Sequence, residues 1–204
     1  MGFNYRTALI TVLLFFVAFV GAVYTVRTVS GTNIPVAAVQ SGSMEPNIPT
    51  GSLIFVRAVD PSEIVAGPPP VGDIVVYIQQ GTEITDYFIF TTYDPLPISH
   101  RVIDKTQVGG TYYFLTKGDA NSYPDQSPSN PLSWVPEDRI VGKVVFSVPY
   151  LGYPFLFKNT WIVSIVLLII IVLIALPSKD KEPAKPEGTS GSDPSTGELP
   201  YPEG

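Results

Sequence analysis

Residues 98–119 read ISHRVIDKTQVGGTYYFLTKGD, and this stretch decides for a β-rich domain. Residues 98–103 and 111–116 are short runs of β-branched and aromatic side chains, the composition of pleated, half-buried strands. Gly109-Gly110 separates them, and Lys117-Gly118-Asp119 closes the second. The pattern recurs on both sides. Residues 52–57, 73–78, 87–92 and 140–148 are further strand candidates, divided by breakers such as Pro68-Pro69-Pro70 and Asp94-Pro95. No sustained helical apolar period interrupts them. Residues 29–153 are therefore expected to form one mainly β domain, with its sheet closed or sandwiched so that open edges are few.

Two uncharged apolar runs flank this domain, residues 7–26 and 159–178. Each is long enough to cross a bilayer core of about 30 Å as a helix. The first is too long for the apolar core of a cleaved signal peptide and has no small-x-small cleavage site after it, so it reads as a retained anchor. The expected organisation is an N-terminal transmembrane anchor over residues 1–28, the β domain over 29–153, a second transmembrane helix over 154–178 and a tail over 179–204. The tail is rich in Pro, Gly, Ser, Lys and Glu and cannot bury enough apolar surface to fold, so disorder is expected there. Arg6, Lys179 and Lys181 flank the outer ends and Arg27 and Lys158 the inner ones, a slight bias toward cytoplasmic termini and an extracytoplasmic or lumenal domain.

The net charge is −6, with much of the acid in the tail, which argues against nucleic acid as a partner. There is no cysteine and one histidine, which excludes disulfides, thiol chemistry and Cys-based or His-rich metal sites. No metal or organic cofactor is expected.

The polar residues point to nucleophilic catalysis. Ser41-Gly42-Ser43-Met44-Glu45-Pro46 sets a Gly-flanked serine a short way past the first apolar run. A serine hydroxyl needs a base to take its proton, and a neutral imidazole does this well near neutral pH. The histidine, His100, lies 57 positions after Ser43, so only the fold brings them together. The base in turn needs a carboxylate to hold its tautomer. Asp104 shares a strand face with His100 if the strand is regular, but about 13 Å away. Asp119 and Asp125 lie in a turn-rich segment from which either reaches back toward His100. The Ser43 backbone N–H and the Ser41 hydroxyl are candidate oxyanion donors.

At this point the sequence resembles the type I signal peptidase family, in its archaeal and endoplasmic-reticulum branch. The resemblance rests on blocks in order: Ser41-Gly42-Ser43-Met44-Glu45-Pro46, Gly51-Ser52-Leu53-Ile54, Gly72-Asp73-Ile74-Val75, His100-Arg101-Val102-Ile103, Leu115-Thr116-Lys117-Gly118-Asp119-Ala120-Asn121 with Asp125 following, and Val141-Gly142-Lys143-Val144 running to Pro149-Tyr150-Leu151-Gly152. It implies Ser43 as nucleophile, His100 as general base where the bacterial branch has lysine, Asp125 as the required acid, Asp119 as a supporting acid and Ser41 as an oxyanion contributor. It also implies a domain of two antiparallel sheets and a membrane-bound serine endopeptidase that cuts secretory preproteins after small residues at −1 and −3. The substrate is expected to lie extended against a strand edge, with Val39, Met44 and Ile48 lining apolar pockets. Preproteins, the lipid bilayer and the translocation machinery are the implied partners.

The loop carries Ala120 where ER members usually have Asn, and residues 60–72 and 78–97 match nothing in the family pattern. Two other readings stand beside the leading one: a peptidase dedicated to a few surface proteins, and a non-catalytic subunit of a processing complex. They differ in whether many precursors, a few or none depend on Ser43.

Overall fold

The computed structural model describes residues 5–87 and 91–156. The chain opens with α1, Tyr5–Ser30. Within Leu9–Ser30 an 18-residue stretch has a mean hydropathy of 2.5, and this helix is long and apolar enough to cross a bilayer. Its apolar side chains, Leu13, Phe16 and Val17 among them, are exposed rather than packed into the domain. Gly31 ends it with φ of 67° in the left-handed region, its N–H bonded to the Arg27 carbonyl. The expected second transmembrane helix and the tail lie outside the described residues, apart from one helical turn at Tyr153–Leu156.

The rest is mainly β and antiparallel. The strands are β1 (Val36–Ala38), β2 (Leu53–Arg57), β3 (Ile74–Tyr77), β4 (Glu83–Asp86), β5 (Thr91–Asp94), β6 (Ile98–Val108), β7 (Thr111–Lys117), β8 (Val135–Pro136) and β9 (Ile140–Val148). Seven form one sheet in the order β1-β2-β9-β3-β6-β7-β8, and β4–β5 is a separate hairpin. The two-sheet expectation thus takes the form of one large curled sheet and one small hairpin.

The curl follows from β3, which is buried on both faces. Val75 joins a cluster with Ile64, Tyr77, Val102, Phe114 and Val135, while its neighbour Val76 joins Val39, Met44, Ile48, Ile54 and Val56. Side chains alternate along a strand, so one strand feeds both cores. This is why residues 74–77 read as an unbroken apolar run rather than an alternating one. The ladder also shifts register between Val102 and Asp104, so β6 does not continue regularly past its first residues. At Gly142, a Cβ would sit 2.5 Å from the Arg57 carbonyl oxygen, so the β2–β9 crossing needs glycine there.

Most sequence-derived strands coincide with the observed ones, residues 140–148 at both ends. The candidate at 87–92 is corrected. Thr91 and Thr92 belong to β5, Tyr87 lies outside any strand, and residues 88–90 lie outside the described residues. The hairpin partner β4 carries Glu83 and Asp86 in four residues, which weakens its β signal, and β1 and β8 have only three and two residues.

Phe114, fully buried beside Val75 and Val102, tests the core. Phe114→Ala is expected to destabilise the domain by about 3–5 kcal/mol, read from thermal unfolding of the detergent-solubilised chain.

Candidate active site

Three segments meet at one end of the sheet. The first is the 3₁₀ turn Gly42–Met44, which follows the extended Ser41. Met44, 1% exposed, is buried in the first core cluster and pins the turn, leaving Ser43 at the surface. The Ser43 carbonyl accepts the Ala120 N–H at 2.9 Å, so the loop after β7 grips the backbone at this serine. Gly118 permits that approach, because a Cβ there would lie 2.7 Å from the Ser43 carbonyl oxygen. The second segment is β6, where His100 pairs with Val75 and is largely buried. The third is the loop that leaves β7 and returns through Asp125, whose N–H bonds the Thr116 carbonyl at 2.8 Å.

These segments bring Ser43, His100 and Asp125 into one hydrogen-bonded chain. His100 Nε2 lies 2.9 Å from Ser43 Oγ, and His100 Nδ1 lies 2.6 Å from Asp125 Oδ2. An ionised carboxylate only accepts, so Nδ1 carries the proton and Nε2 faces the serine as an acceptor. Asp125 Oδ2 also accepts the Thr116 hydroxyl at 2.7 Å and the Tyr77 phenol at 3.2 Å. Burial, with Asp125 beside it, pushes the Tyr77 phenol well above its ordinary value, so it keeps its proton and remains a donor. Ser41 Oγ lies 3.2 Å from Ser43 Oγ.

Asp119 stands apart from this chain. Its carboxylate takes both Nε (2.7 Å) and one terminal nitrogen (2.6 Å) of Arg101 and also the Asn47 amide at 2.8 Å. The Arg101 and Asp119 side chains are 5% and 3% exposed. A third Arg101 nitrogen donates to the Gly72 carbonyl. Asp104 lies past the register shift, exposed, its carboxylate accepting the Lys105 N–H. Among the described residues no three His, Asp or Glu side chains gather as metal ligands.

A cleft of about 720 Å³ opens beside Ser43 and His100. One wall is the segment from Asn33 to Ser41, including β1, which ends the sheet and, among the described residues, pairs only with β2. Thr91, Tyr93 and the start of β6 form the other wall, and Ile54 and Val76 lie between. Val39 lines this cleft. Met44 and Ile48 do not, since both are buried in the core beneath the Ser43 turn. Their apolar spacing is that of anchors for the turn. Sequence reasoning did not single out Tyr77, Thr116, Arg101 or Asn47; polar groups inside otherwise apolar strands were the available signal for the first two.

Comparison with known proteins fits this geometry. No family model matches the chain. It is 34% identical to the signal peptidase complex catalytic subunit SEC11 of Leptosphaeria maculans over 155 residues, covering 72% of this chain and 78% of that protein. It is 30% identical to the SEC11 subunit of Pyricularia oryzae over 145 residues, 70% and 75% of the two chains. The chain belongs to the signal peptidase catalytic-subunit family.

In this signal peptidase family member the two acids are expected to behave differently. Asp125→Asn keeps the shape but removes the charge facing Nδ1, and activity is expected to fall about 10³–10⁴-fold with little change in unfolding temperature. Asp119→Ala strands the buried Arg101 guanidinium and is expected to cost about 3–5 kcal/mol of stability. Gly118→Ala pushes on the Ser43 backbone and is expected to lower kcat by about 10²-fold. Preprotein cleavage rates beside thermal unfolding of each variant check all three.

Proposed function

We propose that this chain is a membrane-anchored serine endopeptidase that removes signal peptides from secretory preproteins. The observation that carries the reading is the Ser43–His100–Asp125 hydrogen-bond chain at the mouth of an apolar cleft. His100 Nε2 takes the Ser43 proton as Oγ attacks the scissile carbonyl carbon. The Ser43 N–H and the Ser41 hydroxyl stabilise the oxyanion. The imidazolium, held by Asp125, gives its proton to the leaving amine, and the mature protein departs from the acyl-enzyme. A water then gives its proton to His100 and attacks the ester carbon; the serine recovers its proton as the signal peptide is released. Every step uses side chains of this protein. Asp119 acts through Arg101 and Asn47, as a positioning residue.

The cleft supports a substrate in extended form. Among the described residues β1 offers an unpaired edge, and small or apolar side chains, Ala37, Ala38, Val39, Ile54 and Val76, line the space beside the serine. Such a space favours small side chains at alternate positions, which accords with cutting after small residues at −1 and −3. α1 and the second apolar run hold the domain at the extracytoplasmic or lumenal membrane surface. The signal peptide's apolar core already resides there, which raises its effective concentration. The relatives are named as catalytic subunits of signal peptidase complexes. That supports broad signal-peptide processing within such a complex over a peptidase for a few proteins or a non-catalytic subunit.

Purified protein incubated with a preprotein bearing an Ala-x-Ala site is expected to cut after the final Ala. Ser43→Ala and His100→Ala are each expected to lose about 10⁴-fold or more. Equal cleavage by all three proteins would overturn the reading.

A further inference from the structure

The hairpin β4–β5 belongs to a stretch that matched nothing in the family pattern, yet it builds part of the cleft. Its strands pair Asp86 with Thr91 and Ile84 with Tyr93. Thr91 and Tyr93 are half-buried and line the cleft, while the alternate residues Thr92 and Asp94 are exposed. The strand thus turns one face to the space where a peptide would lie. Burial, with Asp86 nearby, pushes the Tyr93 phenol up, in keeping with a ring packed against this wall.

The hairpin is latched to the membrane helix. Arg27, in the last turn of α1, donates to Thr91 Oγ1 at 2.7 Å, and the same hydroxyl donates to Asp86 Oδ1. The threonine hydroxyl accepts from a cation and donates to an anion, so both of its contacts are charge-assisted. Arg27 and Val23 of α1 themselves line the cleft. The cleft therefore runs from the catalytic serine to the end of the apolar helix.

We propose that the Arg27–Thr91–Asp86 latch makes the hairpin a specificity-determining wall, which binds the segment of the signal peptide between its apolar core and the cut. This rests on the signal-peptide reading above. The direction of the substrate follows from solvation. The apolar core of the substrate stays in the bilayer with α1, so residues upstream of the cut must leave at the α1 end. The wall touches that upstream segment, and none of its residues takes part in the Ser43–His100 or His100–Asp125 hydrogen bonds. Loosening it weakens substrate binding without slowing bond cleavage.

The test is steady-state cleavage of an Ala-x-Ala preprotein by the full chain. Thr91→Val, which keeps the shape but removes the hydroxyl, is expected to raise KM about tenfold while kcat stays within about twofold. Arg27→Met is expected to give the same split, and Thr91→Ser, which keeps the hydroxyl, to restore the wild-type KM. Thr92→Val, on the exposed face, is expected to change neither constant. Unchanged KM in Thr91→Val and Arg27→Met would overturn the proposal, as would a fall in kcat at constant KM. Absence of cleavage by the wild type would instead overturn the signal-peptide reading on which the proposal rests.

Discussion

The buried pair of Arg101 and Asp119 is the constraint on which the site depends. Arg101 follows His100 directly on β6, Asp119 sits in the loop between β7 and Asp125, and Asn47 lies just past the Ser43 turn. One bidentate contact and one amide therefore tie together the three chain segments that carry Ser43, His100 and Asp125. A buried ion pair is stable only when its remaining donors and acceptors are met. Here the Gly72 carbonyl takes the third guanidinium contact, and among the described residues no buried side-chain nitrogen or oxygen lacks a partner. The pair contributes geometry, and the chemistry stays with its neighbours.

The sheet supplies the frame for that geometry. β3 buries Val75 on one face and Val76 on the other, so the sheet curls around two small cores. The curl brings β1 and the first residues of β6 to opposite walls of a single cleft over Ile54 and Val76. The Ser43 turn is fixed from below by Met44 and from the side by the loop at Ala120. Among the described residues the cleft presents an open strand edge and a Ser43 hydroxyl already hydrogen-bonded to His100. Such preorganisation removes entropy from the barrier before the reaction begins.

Much of this was legible in the sequence where local composition and tertiary environment agree. β2, β3, β7 and β9 are mostly β-branched or aromatic, and these strands and the start of β6 were found within a residue or two. β6 runs five residues further than its candidate, into the polar Asp104–Gln107 stretch. A single strand was expected at 87–92, and β4 was not foreseen, because Asp86 and Thr91 serve the contact with Arg27 of α1 rather than a core. Spacing alone left Asp119 and Asp125 equal, since both sit in turns. What separates them is that Arg101, adjacent to His100, claims one and the imidazole the other, a relation that exists only in three dimensions. Met44 and Ile48 were expected at the pockets because they are apolar and near Ser43, but proximity in sequence does not say which side of a turn faces the cleft.

The chain has one histidine, so nitrogen-15 NMR of histidine-labelled protein reports on a single ring. With that ring neutral, the account predicts the proton on Nδ1, in a strong hydrogen bond that disappears in Asp125→Ala, and an unprotonated Nε2. A proton on Nε2, or an Nδ1 signal indifferent to the loss of Asp125, would contradict the Ser43–His100–Asp125 relay.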